Sequence, residues 1–181
     1  MRELVAEERD ELGLAVTDKF DPYLLAENHG IPVYGLSTLS TWGAGAAAQA
    51  HFSGINAGKW SAALIPLGHN RFIVEHDGHA VVRRRASIAH ELGHLLLEHE
   101  FGAALIGVDH ERVFDPASEK EAAFMAGELL IPEEAARKAA FARWSNEQVS
   151  IAYGVSTQFA QMQMKGMRVV AQRTAVKLAR R

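Results

Sequence analysis

Apolar residues recur with a helical period at both ends of the chain. Near the N-terminus, residues 2–12 follow this pattern, and Asp21 followed by Pro22 predicts the capped start of a second helix that ends at Gly30. The helices predicted for the C-terminal part are residues 118–130, 132–144, 146–153 and 156–165. A tight turn at Gly154 is predicted to join the last two of them.

The middle of the chain has the composition of β-strands. Runs rich in β-branched and aromatic residues predict strands at residues 31–36, 60–67 and 71–75. Asp77–Gly78 followed by the apolar residues 80–82 has the sequence of a hairpin turn and predicts a further strand pair. Residues 37–59 are rich in Gly, Ala and Ser, and we expect a long loop there with at most one short helix. A small sheet is thus predicted between two helical parts.

Residues 87–98 combine two faces of different character on one predicted helix. Ile88, Leu92 and Leu95 form an apolar stripe, whereas His90 and His94 fall on another side. Because residues four apart project from the same helix face, both imidazoles can reach a single metal ion. We therefore expect the apolar stripe to pack and the histidines to perform the chemistry.

His90-Glu91-Leu92-Gly93-His94 is an HExxH sequence, the pattern in which two histidines hold a zinc ion in peptidases. Glu91 points away from the direction that the histidines share, so it is predicted to act on a water as the general base. Two solvent-exposed histidines would have the same spacing. The helical pattern and the preceding strands favour the metal site.

A catalytic zinc site takes a third ligand from the protein and keeps one position open. The motif itself supplies none, because Leu97 and Glu100 stand where its longer form has glycine and histidine. The candidate ligands on the next predicted helix are Glu119, Glu121 and Glu128. Glu121 also has the spacing of a capping box with Ser118, so the residues alone leave the choice open.

Composition excludes several classes of protein. The chain has 181 residues, 48% of them apolar and 23% charged, which is typical of a globular domain with a small appendage. No segment approaches the ~18 consecutive apolar residues of a membrane span. There is no cysteine, so a metal must be held by His, Asp or Glu. The N-terminus lacks the apolar core of a signal peptide, which predicts a cytoplasmic protein.

Positive charge is concentrated at the end of the chain. No acidic residue follows Glu147, and six Lys and Arg residues do, so residues 148–181 carry +6 and residues 1–147 carry −9 of the net −3. This asymmetry indicates an acidic or nucleic-acid partner, or equally a solvated helix end. Between Ser156 and Lys165 only glutamines and Lys165 could contact base edges, so sequence-specific DNA binding is possible but not favoured.

Several blocks, in this order, resemble the ImmA/IrrE family of metallopeptidases. They are DPYLLAE at 21–27 with GIPV at 30–33, RASIA at 85–89 before the HExxH sequence, EKEAAFMA at 119–126 with LLIP at 129–132, and IAYGVS at 151–156. The chain departs from the family at Ala123, where Asn is usual, and at Ala86 and Met125, where Phe is favoured. None of these departures falls on a candidate ligand.

The resemblance implies an α+β, zincin-like fold, with a small sheet beside the HExxH helix and a helical, helix-turn-helix-like segment at the C-terminus. It implies a peptidase domain at residues 1–144 and the helical segment at residues 145–181. It also implies Zn²⁺ as cofactor in a gluzincin-like site, with Glu91 as the catalytic residue. The family's glutamate ligand stands immediately before an alanine and corresponds to Glu121, which joins His90 and His94.

Members of this family are intracellular proteins that cleave or inactivate helix-turn-helix repressors. The resemblance therefore implies a zinc-dependent endopeptidase with a transcriptional repressor as its protein substrate. The alternative is a non-catalytic regulatory module that binds DNA or a protein partner through its C-terminal helices. Glu91 favours the enzyme, because a purely structural metal site needs no base.

Overall fold

A computed structural model describes residues 1–42, 60–99 and 115–180 of the protein. In chain order its elements are α1 (Arg2–Glu11), α2 (Pro22–Asn28), β1 (Val33–Gly35), a 3-10 helix (Leu36–Trp42), β2 (Ala62–Leu67), β3 (Asn70–Glu75), α3 (Val81–Leu96), α4 (Pro116–Leu130), α5 (Glu133–Phe141), α6 (Asn146–Tyr153) and α7 (Thr157–Ala179). The described residues form a small three-stranded sheet, and most elements before and after it in the chain are helices. This confirms the predicted α+β class.

The chain forms two compact units, and their boundary falls inside α4. The sheet unit is Pro22–Ala126, and the helical unit is Met1–Asp21 together with Gly127–Arg181. The boundary after Ala126 between these units differs from the expected domain boundary after residue 144. The expected boundary separates a peptidase domain from a helix-turn-helix-like segment, and it stays a prediction.

The sheet unit contains a three-stranded sheet in the order β1–β3–β2. β1 runs parallel to β3, with Val33 opposite Ile73, and β2 runs antiparallel to β3, with Leu64 opposite the same residue. β2 and β3 are joined by a tight turn at Gly68, whose φ of 60° is a left-handed conformation that favours glycine. Leu64 and Ile73 are fully buried, so this face of the sheet belongs to the core.

The hairpin predicted at Asp77–Gly78 is wrong, and residues 80–82 do not form a strand. Helix α3 begins at Val81, six residues earlier than predicted. Asp77 instead accepts hydrogen bonds from Ser37, one from the hydroxyl and one from the backbone N–H at 3.2 Å. Burial opposes ionisation of Asp77, but these hydrogen bonds outweigh it and hold the pKa of the carboxyl below its usual value.

One buried carboxylate joins three elements of the sheet unit. Glu75, at the end of β3, is 3% exposed and accepts hydrogen bonds from Arg84 of α3 (Nε to Oε2, 3.0 Å) and from the hydroxyl of Tyr23 of α2 (2.7 Å). The hydrogen bond to Glu75 raises the pKa of Arg84, and burial together with Glu75 raises the pKa of Tyr23. Arg84 lies in the first turn of α3, so this contact holds the start of the helix against β3.

The C-terminal helices follow the prediction except in length. Ser145 and Gln148 form a capping box at the start of α6, and Gly154 ends that helix with a φ of 63°. Ser156 caps α7, which continues through Gly166 to Ala179, beyond the predicted end at residue 165. The interpretation of α6 and α7 as a helix-turn-helix stays a prediction. No helix in the described part of the chain is long and apolar enough to cross a membrane.

A buried arginine organises the helical unit. Arg9 of α1 is 3% exposed and donates hydrogen bonds to the backbone oxygens of Ala15 (2.8 Å), Asp18 (2.6 Å) and Leu129 (2.9 Å). Burial lowers the pKa of Arg9, while the charge of Asp18 acts in the opposite direction. The guanidinium thus connects α1, the segment after it and the end of α4.

We predict that Arg9→Leu lowers the free energy of unfolding by about 3 kcal/mol, because three carbonyl groups lose their donor. Arg137→Leu, which changes an exposed arginine of α5, should shift it by less than about 0.5 kcal/mol. Urea unfolding of both variants measures the difference. Equal losses in the two variants would contradict the role assigned to Arg9.

Candidate metal centre

The two histidines of the HExxH sequence meet a glutamate of α4. Their Nε2 atoms are 3.2 Å apart. Glu119 Oε2 lies 3.1 Å from His90 Nε2, and Glu119 Oε1 lies 3.3 Å from His94 Nε2. Within residues 1–42, 60–99 and 115–180, these three side chains form a group whose potential ligand atoms all lie within 4.8 Å of one another.

The spacing of the two histidines fits a tetrahedral metal ion. Ligand atoms about 2.0–2.1 Å from such an ion are about 3.3 Å apart, and the two Nε2 atoms are 3.2 Å apart. Glu119 places a different carboxylate oxygen beside each of them. The side chain of His94 is 6% exposed, and those of His90 and Glu119 are 27% and 32% exposed. His94 is therefore nearly buried, whereas His90 and Glu119 are partly exposed to solvent.

The close approach of α3 and α4 brings Glu119 to the histidines. A Cβ on Gly93 would lie 2.8 Å from the carbonyl oxygen of Ala122 and 3.1 Å from its Cα, so α4 packs against the bare backbone of α3. Ala122 is fully buried, and Glu119 lies one turn before it on the same helix face. Small residues on both helices thus place a carboxylate beside His90 and His94.

Glu121, the ligand expected from the resemblance, is not brought to His90 and His94. Two residues along a helix correspond to a rotation of about 200°, so Glu119 and Glu121 point in different directions. The Glu121 side chain is 52% exposed, and its Oε2 lies 3.1 Å from Nε2 of His99. The choice between the two glutamates therefore follows from the face that α4 turns toward α3.

The capping box suggested for Glu121 does not form either. Asp115 caps α4 by accepting hydrogen bonds from the backbone N–H of Ser118 (3.0 Å) and from its hydroxyl (2.6 Å). Pro116 occupies the first helical position, so α4 begins two residues earlier than predicted. The third candidate, Glu128, accepts a hydrogen bond from the backbone N–H of Glu133 (3.1 Å) within the helical unit.

Glu91 is buried against the sheet. It is 5% exposed, and its Oε2 accepts a hydrogen bond from the backbone N–H of Leu64 in β2 at 2.8 Å. Ser61 accepts a bond from His76 across the β2–β3 ladder, so the alternate residues Ala62 and Leu64 direct their backbone groups away from β3. Glu91 therefore lies at the outer edge of β2, where the described residues contain no further strand.

His99 is a residue of the site that the sequence analysis missed. Its Nδ1 lies 2.9 Å from Nδ1 of His94. The chain turns back after α3 through Glu98, whose φ is 52°, and the backbone N–H of His99 donates to the carbonyl oxygen of His94 at 3.1 Å. The one available signal was a third histidine five residues after His94, shortly after the apolar end of the helix.

The comparison with known families agrees with this site. The model of a peptidase family, M78, described as the IrrE N-terminal-like domain, matches residues 26–165. That range is most of the chain, so the protein belongs to this family, and the resemblance to the ImmA/IrrE metallopeptidases is confirmed. The protein is accordingly a metallopeptidase in general terms, which acts on protein substrates. No curated protein and no solved structure matches the chain significantly.

We predict that Gly93→Ala lowers the free energy of unfolding by about 1–3 kcal/mol and weakens metal binding, because the new methyl group pushes Ala122 and with it Glu119 away. Gly166→Ala is the matched control, since a Cβ there meets nothing within 4 Å. It should stabilise α7 by up to about 1 kcal/mol. Urea unfolding and metal titration measure both effects. If Gly93→Ala behaves like the control, the helices do not depend on this close approach.

Proposed function

We propose that the protein is a zinc-dependent endopeptidase that cleaves a helix-turn-helix transcriptional repressor in the cytoplasm. The observation that carries this proposal is the group of potential metal ligands formed by Glu119 of α4 with His90 and His94 of α3, the helix that also holds the buried Glu91. Two imidazole nitrogens and a carboxylate, in a chain without cysteine, are ligands that zinc takes in peptidases. The family match supports the peptidase class.

The residue roles follow from this geometry. His90, His94 and Glu119 would hold the ion, and Glu119 takes the role that the resemblance gave to Glu121. When bound, zinc acts as a Lewis acid toward a peptide carbonyl and lowers the pKa of a water to about 7. Glu91 takes the proton from the attacking water and passes it to the leaving amine, while the N–H of Leu64 keeps the carboxylate oriented.

The outer edge of β2 supports an extended peptide as substrate. The backbone groups of Ala62 and the carbonyl of Leu64 point away from β3, beside the carboxylate of Glu91. A substrate segment can add to this edge as a further strand, with its scissile bond near the metal centre. Main-chain hydrogen bonds of this kind do not depend on the side chains of the substrate, so peptides of many sequences can form them. The repressor must therefore be selected by other contacts.

The alternative function, a non-catalytic module that binds DNA or a protein, is supported by the charge of α7. Lys165, Arg173, Lys177 and Arg180 are exposed on this helix, whereas Arg168 is engaged with the side chain of Asn146 and the carbonyl of Trp144. A basic helix attracts acidic proteins and nucleic acids alike. We assign it to substrate docking, because between Ser156 and Lys165, the start of the helix, only glutamines and Lys165 could contact base edges.

We predict that Glu91→Gln keeps the metal and lowers the cleavage rate about 10²–10⁴-fold, because glutamine still accepts the N–H of Leu64 but cannot take a proton. His90→Ala should instead lose the metal and the activity together. Metal content and repressor cleavage, measured on both purified variants, distinguish the two roles. Near-normal turnover by Glu91→Gln would exclude the proposed mechanism.

We predict that replacing Arg173, Lys177 and Arg180 by glutamine raises KM for the repressor on the order of 10-fold, with kcat and zinc content unchanged, because each surface charge contributes a fraction of 1 kcal/mol. Lys138→Gln, on the exposed side of α5, is the control. Steady-state kinetics at two salt concentrations test this. Salt-resistant, sequence-selective DNA binding by the intact protein would support the alternative instead.

A further inference from the structure

A cavity lies at the start of the central strand β3, within the sheet unit. Its volume is about 1040 Å³, and pockets that hold small organic molecules have volumes of about 300–1,000 Å³. In the described part of the chain it is lined by residues 29–32, 34, 39, 67 and 69–72. We call it the strand-end cavity. It is large enough for a small organic molecule.

The strand-end cavity exists because β1 begins later than β3. The carbonyl oxygen of Pro32 accepts from the N–H of Ile73 at 2.9 Å, and the pairing of β1 with β3 starts there. Residues 70–72 therefore pair with β2 but not with β1. Alternate residues of a strand direct their backbone groups to the same side, so the N–H of Arg71 faces this open side. A backbone donor is thus left beside the cavity.

The walls of the strand-end cavity are apolar and aromatic. The rings of Tyr34 and Phe72 meet edge to face, with centroids 5.9 Å apart and an angle of 69° between the ring planes. Both residues are half-buried, and Leu39 and Leu67 add aliphatic surface. A flat ring can continue such an arrangement by stacking or by a further edge-to-face contact. The walls therefore fit an aromatic body.

The strand-end cavity also carries an excess of positive charge. Arg71 is half-buried, and its guanidinium has no hydrogen bond or ion pair with any residue of the described ranges. No Asp or Glu is among the described lining residues. A guanidinium and a backbone N–H are donors that bind carboxylates and phosphates, and the exposed His69 can add another. An acidic group on a ligand supplies the partner that Arg71 lacks.

We propose that the strand-end cavity binds a small molecule that combines an aromatic ring with a carboxylate or phosphate group. Tyr34 and Phe72 contact the ring, and Arg71 binds the acidic group. The cavity lies on the β1 side of β3, whereas Glu91 meets Leu64 at the outer edge of β2. Binding in the cavity is therefore separate from the metal centre, and it does not depend on the proposed function.

Three ligands with one ring system test the proposal, namely naphthoate, naphthyl phosphate and the uncharged naphthalenemethanol. Isothermal titration calorimetry measures their affinities for the metal-free and the zinc-loaded protein. We expect each anion to bind one site per chain in both forms, with a Kd at least about 10-fold below that of the alcohol. The tighter anion identifies the acidic group. Anions that bind no tighter than the alcohol, that bind only the zinc-loaded form, or that do not bind at millimolar concentration would overturn the proposal.

Substitutions in the lining show whether the ligand occupies the strand-end cavity. Arg71→Met removes the charge and keeps a long side chain, so it should raise the Kd of both anions about 10-fold and leave that of the alcohol unchanged. Arg137→Met, at an exposed arginine of α5, is the matched control and should change neither. Leu67→Glu places a negative charge at an exposed position of the lining, so it should also weaken the anions on the order of 10-fold.

The aromatic contact is tested separately. Phe72→Leu should weaken all three ligands about 2–10-fold, because aromatic contacts contribute more than the area they bury. Urea unfolding of each variant shows whether it is folded, and Arg71→Met and Leu67→Glu decide the question if Phe72→Leu is not. Equal anion affinities in Arg71→Met and Arg137→Met would exclude the cavity as the binding site, even if naphthoate binds the unmodified chain.

Discussion

The site depends on one steric constraint, the contact of α4 with the bare backbone of α3 at Gly93. Any side chain at this position would meet the carbonyl oxygen of Ala122 at 2.8 Å. Because two helices can approach this closely only through small residues, a carboxylate one turn away reaches the imidazoles of His90 and His94. The glycine between the two histidines thus determines whether a third donor is available at all.

Two buried carboxylates fix α3 on the sheet. Glu75 of β3 accepts from Arg84, and Glu91 of α3 accepts from the backbone of Leu64 in β2. Arg84 and Glu91 are seven residues apart, which is about two helical turns, so both contacts lie on the same side of the helix. Buried charges that lose their partners are costly, and the helix therefore cannot slide or rotate without breaking one of them. The histidines, which lie about 60–100° around the helix from Glu91, keep a defined position as a result.

The two glutamates near the start of α4 contact different histidines. Glu119 lies on the face that contacts α3, whereas Glu121 extends along the side toward His99. The resemblance favours Glu121 because an alanine follows it, whereas a lysine follows Glu119. Their different contacts arise from the orientation of α4, which the local sequence does not determine.

The sequence by itself determined the features that depend on residues close together along the chain. The HExxH helix, the start of α2 at Pro22, the turn at Gly154 and the strand-rich middle follow from local spacing and residue type, and so did the family. Tertiary structure decided the contacts between segments that are far apart in the chain. The contacts of Glu91 with Leu64 and of the two histidines with Glu119 each join residues from different elements. The same is true of the contact between Arg84 and Glu75 at the early start of α3. Periodicity gives the faces of a helix, but only packing determines which face meets a partner, and here that choice selects the residues around the metal centre.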